Sequence, residues 1–280
     1  MNFSPLLCKI QRYAWGSRSF IASLQGRPTP SDEPEAELWV GAHPSAPAEV
    51  VEGETQSRLD VLIARAPERA LGTDVARRFH DELPFLMKVL AAAEPLSLQA
   101  HPSRAQAEQG FAQEQAAGIR LDAPTRSYKD ARPKPELIVA LTPFVALSGF
   151  RPLERTLRLI AELSIPELTG LFGPLHAGTG LAADGAEARL ARVFDRLINS
   201  EAAERDSLVR SVRVRAAELA PQSKEFAREL RWVERLYTLY PGDIGVVISL
   251  LLNHVELAPF QGLYLPPGNL HAYLDGAGVE

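Results

Sequence analysis

The sequence predicts a mainly β protein with helices, built as one β domain interrupted by a helical insertion. Three observations carry this reading. Residues 1 to about 150 hold short apolar runs broken by Pro and Gly, the pattern of strands joined by turns. From about 151 to 240 the apolar residues recur with a helical period. From 241 the strand pattern returns, as in "GLYLPPGNLHAYL".

The first region offers "ELWVGAH", "PFLMKVL", "LSLQAH", "PELIVAL" and "FVALSGF" as strands. Two helices interrupt them. One is expected over "TQSRLDVLIARAPERAL". The other starts at Ser103, which forms a Ser-x-x-Gln capping box with Gln106 and is followed by Gly118 at the expected helix end. In the middle block Leu190, Val193, Phe194, Leu197 and Ile198 fall on one helical stripe. "SLVRSVRVRAAELA" and "KEFARELRWVERLYTLY" predict further amphipathic helices, and "LHAGTGLAADGAEA" predicts a loop. The last region reads as strands from "GDIGVVISLLLNHVEL" onward. The stretch "LDGAGVE" has no cap and no visible closing strand. The expected division is therefore 1–150 with 241–280 as one discontinuous β domain, and 151–240 as the helical insertion.

Composition narrows the function. The chain has 280 residues, 46% of them hydrophobic, so a large core is within reach. Lys and Arg number 30 against 35 Asp and Glu, a formal net charge of −5, with no basic stripe; nucleic acid is not an expected partner. No apolar run has the length of a membrane span. The N-terminus lacks a signal-peptide pattern, and Cys8 stands alone, so a cytoplasmic location is expected. A single cysteine also excludes a cysteine-rich zinc site, leaving nitrogen and oxygen ligands.

"EPLSLQAHPS" reads as a strand with Leu96, Leu98 and Ala100 on one face and Ser97, Gln99 and His101 on the other. In "KPELIVAL" Lys134, Glu136 and Ile138 share a face. In "PPGNLHAYL" Asn269, His271 and Tyr273 do so. A polar strand face exposed to water explains any one of these. Together they assemble two imidazoles, a carboxylate and an amide oxygen, a suitable ligand set for a divalent metal with an open position.

The motifs "YAWGS" (Tyr13 to Ser17), "ELWVGAHPSAP", "PFLMKVLAAAEPLSLQAHPS", "YKD…KPEL" and "GLYLPPGNLHAYLDGAGVE" resemble those of the type I phosphomannose isomerases, of the cupin superfamily. The resemblance runs over most of the chain. It implies a cupin-type jelly-roll β domain, and one zinc ion held by Gln99, His101, Glu136 and His271. It also implies Ser97, Lys134 and Glu280 as catalytic residues, with Trp15 and Tyr273 as sugar contacts. The implied reaction interconverts mannose 6-phosphate and fructose 6-phosphate through a cis-enediol(ate). Its partner is a small phosphorylated sugar, and the full-length protein is expected to be a monomer. Lys134, beside a cation and partly buried, is expected to have its charged form disfavoured.

Two departures stand out. The family commonly reads "NHKPE" where this chain reads "RPKPE", so the His sometimes assigned to ring opening is Pro133 here. Ring opening then falls to another group or precedes binding. The family also continues past Glu280 into an arginine-bearing segment and a second β domain. A chain shortened at its C-terminus, without that domain, is expected to be less stable and less active. The competing readings are a non-catalytic metal- or sugar-binding cupin module and a metal-dependent cupin oxygenase.

Overall fold

The computed structural model describes residues 4–172 and 185–280. Strands β1 (Leu6–Leu7) and β2 (Lys9–Gln11) lead through helix α1 (Phe20–Leu24) to β3 (Glu37–Val40), β4 (Glu49–Glu52) and β5 (Thr55–Arg58). Helices α2 (Leu59–Arg65), α3 (Pro67–Leu71) and α4 (Thr73–Arg78) precede β6 (Met87–Ala92). Helix α5 (Arg104–Ala116) separates it from β7 (Glu136–Ala140) and β8 (Phe144–Phe150). The helical run follows: α6 (Leu153–Leu163), α7 (Pro166–Phe172), α8 (Ala186–Ile198), α9 (Ala202–Leu219), α10 (Ala227–Leu239) and α11 (Gly245–Ile248). A short 3-10 turn then opens into β9 (Leu252–Leu257), β10 (Gly262–Leu265) and β11 (His271–Val279).

The main sheet runs β10-β7-β11-β6-β3-β2, and β8 joins it by pairing with both β11 and β9; β1, β4 and β5 form a second, small sheet. All the strand pairs are antiparallel. The β-domain fold class with helices is thus the observed one. Among the described residues no helix is long and apolar enough to cross a membrane.

The capping box on α5 forms as expected, with the Ser103 side chain accepting from the Gln106 N–H and Gly118 at φ +70° beyond the helix end. Elsewhere the local reading changes. "TQSR" is strand β5 rather than the first turn of a helix. Gly53, at φ +62°, opens a two-residue turn that brings Thr55 back opposite Glu52. "GDIGVVISLLL" is helical, not strand: the Asp243 carboxylate accepts from the Gly245 N–H at 2.6 Å, and Val246, Val247, Ile248, Leu250 and Leu251 are all buried. A helix buried on every side has no apolar stripe to reveal its period. The helical run therefore continues past 240 to Leu251. The loop expected at 175–188 lies mostly outside the described residues, and its last residues begin α8.

The helices share one core with the sheet. Leu159, Leu163, Val209, Val212, Leu230 and Val233 pack in the same cluster as Leu147, Leu252, Ala272 and Leu274 from the strands. A second cluster, around Leu90, Ile138, Phe144 and Tyr273, fills the inside of the β domain. On β9, His254 faces Trp232 with ring centroids 6.0 Å apart, and neither of its buried ring nitrogens has a partner among the described residues.

"LDGAGVE" supplies the C-terminal half of β11 and is not an unpaired ending. Residues 271–275 of β11 pair with β8, and residues 276–279 pair with β6, with β7 also alongside at 278–279. The change of partners occurs at a bulge between Tyr273 and Asp275, followed by Gly276 at φ +111°. A β-carbon on Gly276 would lie 2.5 Å from the Pro143 carbonyl oxygen, so only glycine fits the bend.

Candidate metal centre and cleft

"EPLSLQAHPS" runs extended beside β11 but is not a regular strand. Gln99 and His271 form a doubly hydrogen-bonded antiparallel pair, both bonds 2.9 Å. In an unbroken register Ser97 would then donate to Tyr273. Instead the Leu96 N–H does so, at 2.8 Å. The extra residue reverses the alternation, so Leu96 packs on the β-domain cluster and Leu98 on the helical one, and the two leucines do not share a face as expected.

Residues directly opposite in such a pair point to the same side of the sheet, so Gln99 and His271 stand together. The Pro-Pro-Gly-Asn turn completes the arrangement. Asn269 N–H donates to Pro266 O, Gly268 has φ +84°, and the Gly268 N–H donates to His101 O at 2.7 Å. One turn thus starts the His271 strand and pins the backbone of His101.

Glu136, the first residue of β7, meets both imidazoles. His101 Nε2 is 3.0 Å from its Oε1, and His271 Nε2 is 3.1 Å from its Oε2. One donor atom from each of His101, Glu136 and His271 lies within 4.8 Å of the others. His271 Nδ1 is 2.8 Å from the Asn269 carbonyl oxygen, which can only accept, so that nitrogen carries the proton. In its neutral form the ring turns the lone pair of Nε2 toward a carboxylate oxygen. Two acceptors face to face call for a cation between them, and two imidazoles with a carboxylate are the donor set of a zinc site. Burial alone would raise the Glu136 pKa. The close approach of the His101 and His271 rings and the charge of Lys134 outweigh it and hold the carboxyl far below the usual range.

Beside this centre lies a cleft of about 350 Å³ whose walls include Gln99, Ser97, Glu136, Lys134, Trp15 and Glu280. Lys134 Nζ is 2.8 Å from Glu136 Oε1 and 3.4 Å from His101 Nε2. Its side chain is 52% exposed, more open to solvent than the partial burial expected. Trp15 stacks on Tyr13 with centroids 5.6 Å apart, giving the cleft an aromatic edge. Tyr273, expected as a sugar contact, lies along the cleft wall. It is fully buried against Phe144, and its hydroxyl donates to Glu280 Oε1 at 3.1 Å. Its place is to hold Glu280.

The sequence reading missed the cation on this wall. Lys88 of β6 donates to Glu280 Oε2 at 2.6 Å and to Glu37 Oε1 at 3.4 Å, and Glu37 Oε2 accepts from Trp39 Nε1 at 2.7 Å. Burial would lower the Lys88 pKa, but the Glu280 and Glu37 carboxylates override it and raise it well above an ordinary lysine. The available signal was a lone Lys inside the apolar run "FLMKVLAAA", where a charge needs a buried partner.

Known proteins bear on this arrangement. The model of the phosphomannose isomerase type I catalytic domain matches residues 3–153. The mannose-6-phosphate isomerase of Shigella flexneri is 39% identical over 279 residues, covering 98% of this chain and 67% of that protein. The human enzyme is 35% identical over 295 residues, covering 99% and 66%. The chain belongs to the type I phosphomannose isomerase family. It spans about two thirds of the length of these family members. The crystal structure of the Salmonella typhimurium member bound to its substrate fructose 6-phosphate and to zinc superposes with a TM-score of 0.85 at 36% identity, covering 99% of this chain and 66% of that one. A zinc-bound mannose 6-phosphate isomerase gives a TM-score of 0.86 at 34% identity, covering 99% and 67%.

Proposed function

We propose that the chain interconverts mannose 6-phosphate and fructose 6-phosphate, with one zinc ion held by His101, Glu136, His271 and the Gln99 side-chain oxygen. The observation that carries this reading is the convergence of two imidazoles on Glu136 at the edge of a cleft that also holds Lys88 and Glu280. The bound ion supplies a Lewis acid for the negative charge that grows on the sugar oxygens.

The remaining chemistry belongs to the side chains. The Glu280 carboxylate, held between the Lys88 ammonium and the Tyr273 hydroxyl, accepts the proton from C2 of the open-chain aldose and returns it to C1. A second proton passes from O2 to O1 as the carbonyl moves from C1 to C2. The Lys134 ammonium, 2.8 Å from Glu136, balances charge at the sugar oxygens. Ser97 orients the sugar by hydrogen bonding, and Trp15 offers it a face. A positioned acid-base partner contributes about 10²–10⁴-fold in rate.

The test is an enzyme-coupled assay that consumes fructose 6-phosphate, started with mannose 6-phosphate. Turnover should disappear on chelation and return with added zinc. A folded, zinc-loaded chain with no turnover in either direction refutes the assignment.

A further inference from the structure

Residues 93–95 join β6 to the segment that carries Ser97, Gln99 and His101. Their backbone is gripped from two sides. The N–H groups of Ala93 and Glu94 both donate to the Trp15 carbonyl oxygen, at 3.0 and 3.2 Å. The carbonyl groups of Ala93 and Pro95 serve the helical block. Arg235 Nη2 donates to Ala93 O at 3.2 Å, and the Tyr240 hydroxyl donates to Pro95 O at 2.7 Å. Arg235 also pairs with Asp275 on β11 at 3.2 Å, and its guanidinium lies 4.8 Å from the Trp232 ring centroid. One arginine on α10 thus ties the strand that begins with His271 to the segment that leads to Gln99.

On that side packing holds the segment only in part, through Leu98. A cavity of about 250 Å³ lies against Leu96, Ser97 and Leu98, with Leu236, Tyr240 and Ile244 among its other walls. Side chains that border a cavity lack partner atoms there, so position depends on directional bonds. Beside the backbone bonds of Leu96 and Gln99 to β11, two such bonds, from Arg235 and Tyr240, come from the helical block.

We propose that Arg235 and Tyr240 are positioning residues for the metal centre. The helical block sets the spacing between the segment bearing Gln99 and His101 and the strand bearing His271. This rests on the metal-site reading above. Neither residue touches the ion or the sugar. Their effect passes through the backbone of residues 93–95 and through Asp275.

The experiment measures zinc affinity of the full chain by competition with a chromophoric chelator, alongside thermal unfolding and amide hydrogen exchange. The double variant Arg235→Met, Tyr240→Phe should bind zinc roughly 10-fold more weakly, the lower end of the effect of residues that orient metal ligands. The amides of Gln99 and His271 should exchange faster, while those in β3 keep their protection. Arg235→Lys should recover part of the affinity, because it retains a donor and a charge for Asp275. Arg228→Met, on the same helix as Arg235, breaks a surface ion pair with Glu256 of β9 and should leave zinc affinity unchanged. Should the double variant fold poorly, Tyr240→Phe alone removes one oxygen from a partly exposed ring and should still show a weaker affinity. Parental zinc affinity and parental exchange at Gln99 and His271 in a folded double variant overturn the proposal. Equal losses in the Arg228→Met control overturn it too, since they mark general loosening. Absence of zinc binding by the parent chain overturns the metal-site reading, and this proposal with it.

Discussion

His254 makes the fold acid-sensitive. Burial pushes its pKa down from 6.5 to about 4, and the nearby guanidinium groups of Arg228 and Arg151 push in the same direction. The folded protein therefore holds this imidazole neutral, while the unfolded chain protonates near pH 6.5. Stability from this group is fully present above pH 6.5 and is lost as pH falls toward 4. For those two pKa values the unfolded state gains about 2 kcal/mol over the folded state between pH 7 and pH 5. The ring is not wholly shielded from solvent, which trims the expected loss to about 1–1.5 kcal/mol. The perturbation is His254→Phe, which keeps an aromatic ring against Trp232 and removes the titration. Urea unfolding of both proteins at pH 7 and pH 5 isolates the effect, because every other titrating group cancels in the double difference. The variant should lose about 1–1.5 kcal/mol less than the parent over that interval. Parallel losses in the two proteins would show that His254 does not titrate differently in the folded state.

His271→Ala should abolish zinc binding in calorimetric titration, whereas His43→Ala should retain it, since His43 Nδ1 lies 2.7 Å from the Ser45 hydroxyl and its ring packs edge-on to Trp39. Equal loss in the two variants contradicts the ligand assignment. Lys88→Met leaves Glu37 and Glu280 facing each other without their cation and should cost about 3–5 kcal/mol at neutral pH. Part of that loss should return on acidification, as a proton replaces the ammonium; a pH profile of unfolding parallel to the parent's would count against it. Gly276→Ala forces a β-carbon into the Pro143 carbonyl at a left-handed backbone angle and should cost at least about 2 kcal/mol in denaturant unfolding. Parental stability there would mean that the β11 bend is not under steric constraint.

The polar groups around the metal centre were legible because each sits at an alternating position in an extended segment or at a strand start. Glu136 and His271 open their strands, and local pattern was enough to pair each with its face. The slip at Leu96 was not legible. It depends on which amide of the segment meets Tyr273 O, a tertiary fact with no local signature. The helix through Val246 and Ile248 was hidden for the opposite reason: complete burial erases the polar positions from which a period is read. Lys88 and Glu37 lie far apart in sequence on separate strands, so their partnership follows only from the pairing of β3 with β6. The burial of Tyr273 and its bond to Glu280 were not legible either, because alternation gives a face and says nothing about depth.

The bend in β11 also has a kinetic side. Glu136 and His271 are 135 residues apart in sequence, and Lys88 and Glu280 are 192 apart. Closing such long loops before any contact rewards them is slow, and chains dominated by distant pairings fold slowly. The helices of the middle block form from local contacts and do not wait. Refolding from denaturant should therefore recover helical circular dichroism first and zinc-binding capacity in a later phase. During that interval the two imidazoles arrive on different parts of a still-open chain. Zinc present from the start can then tether them early, whereas zinc added afterwards meets a centre already closed by β11.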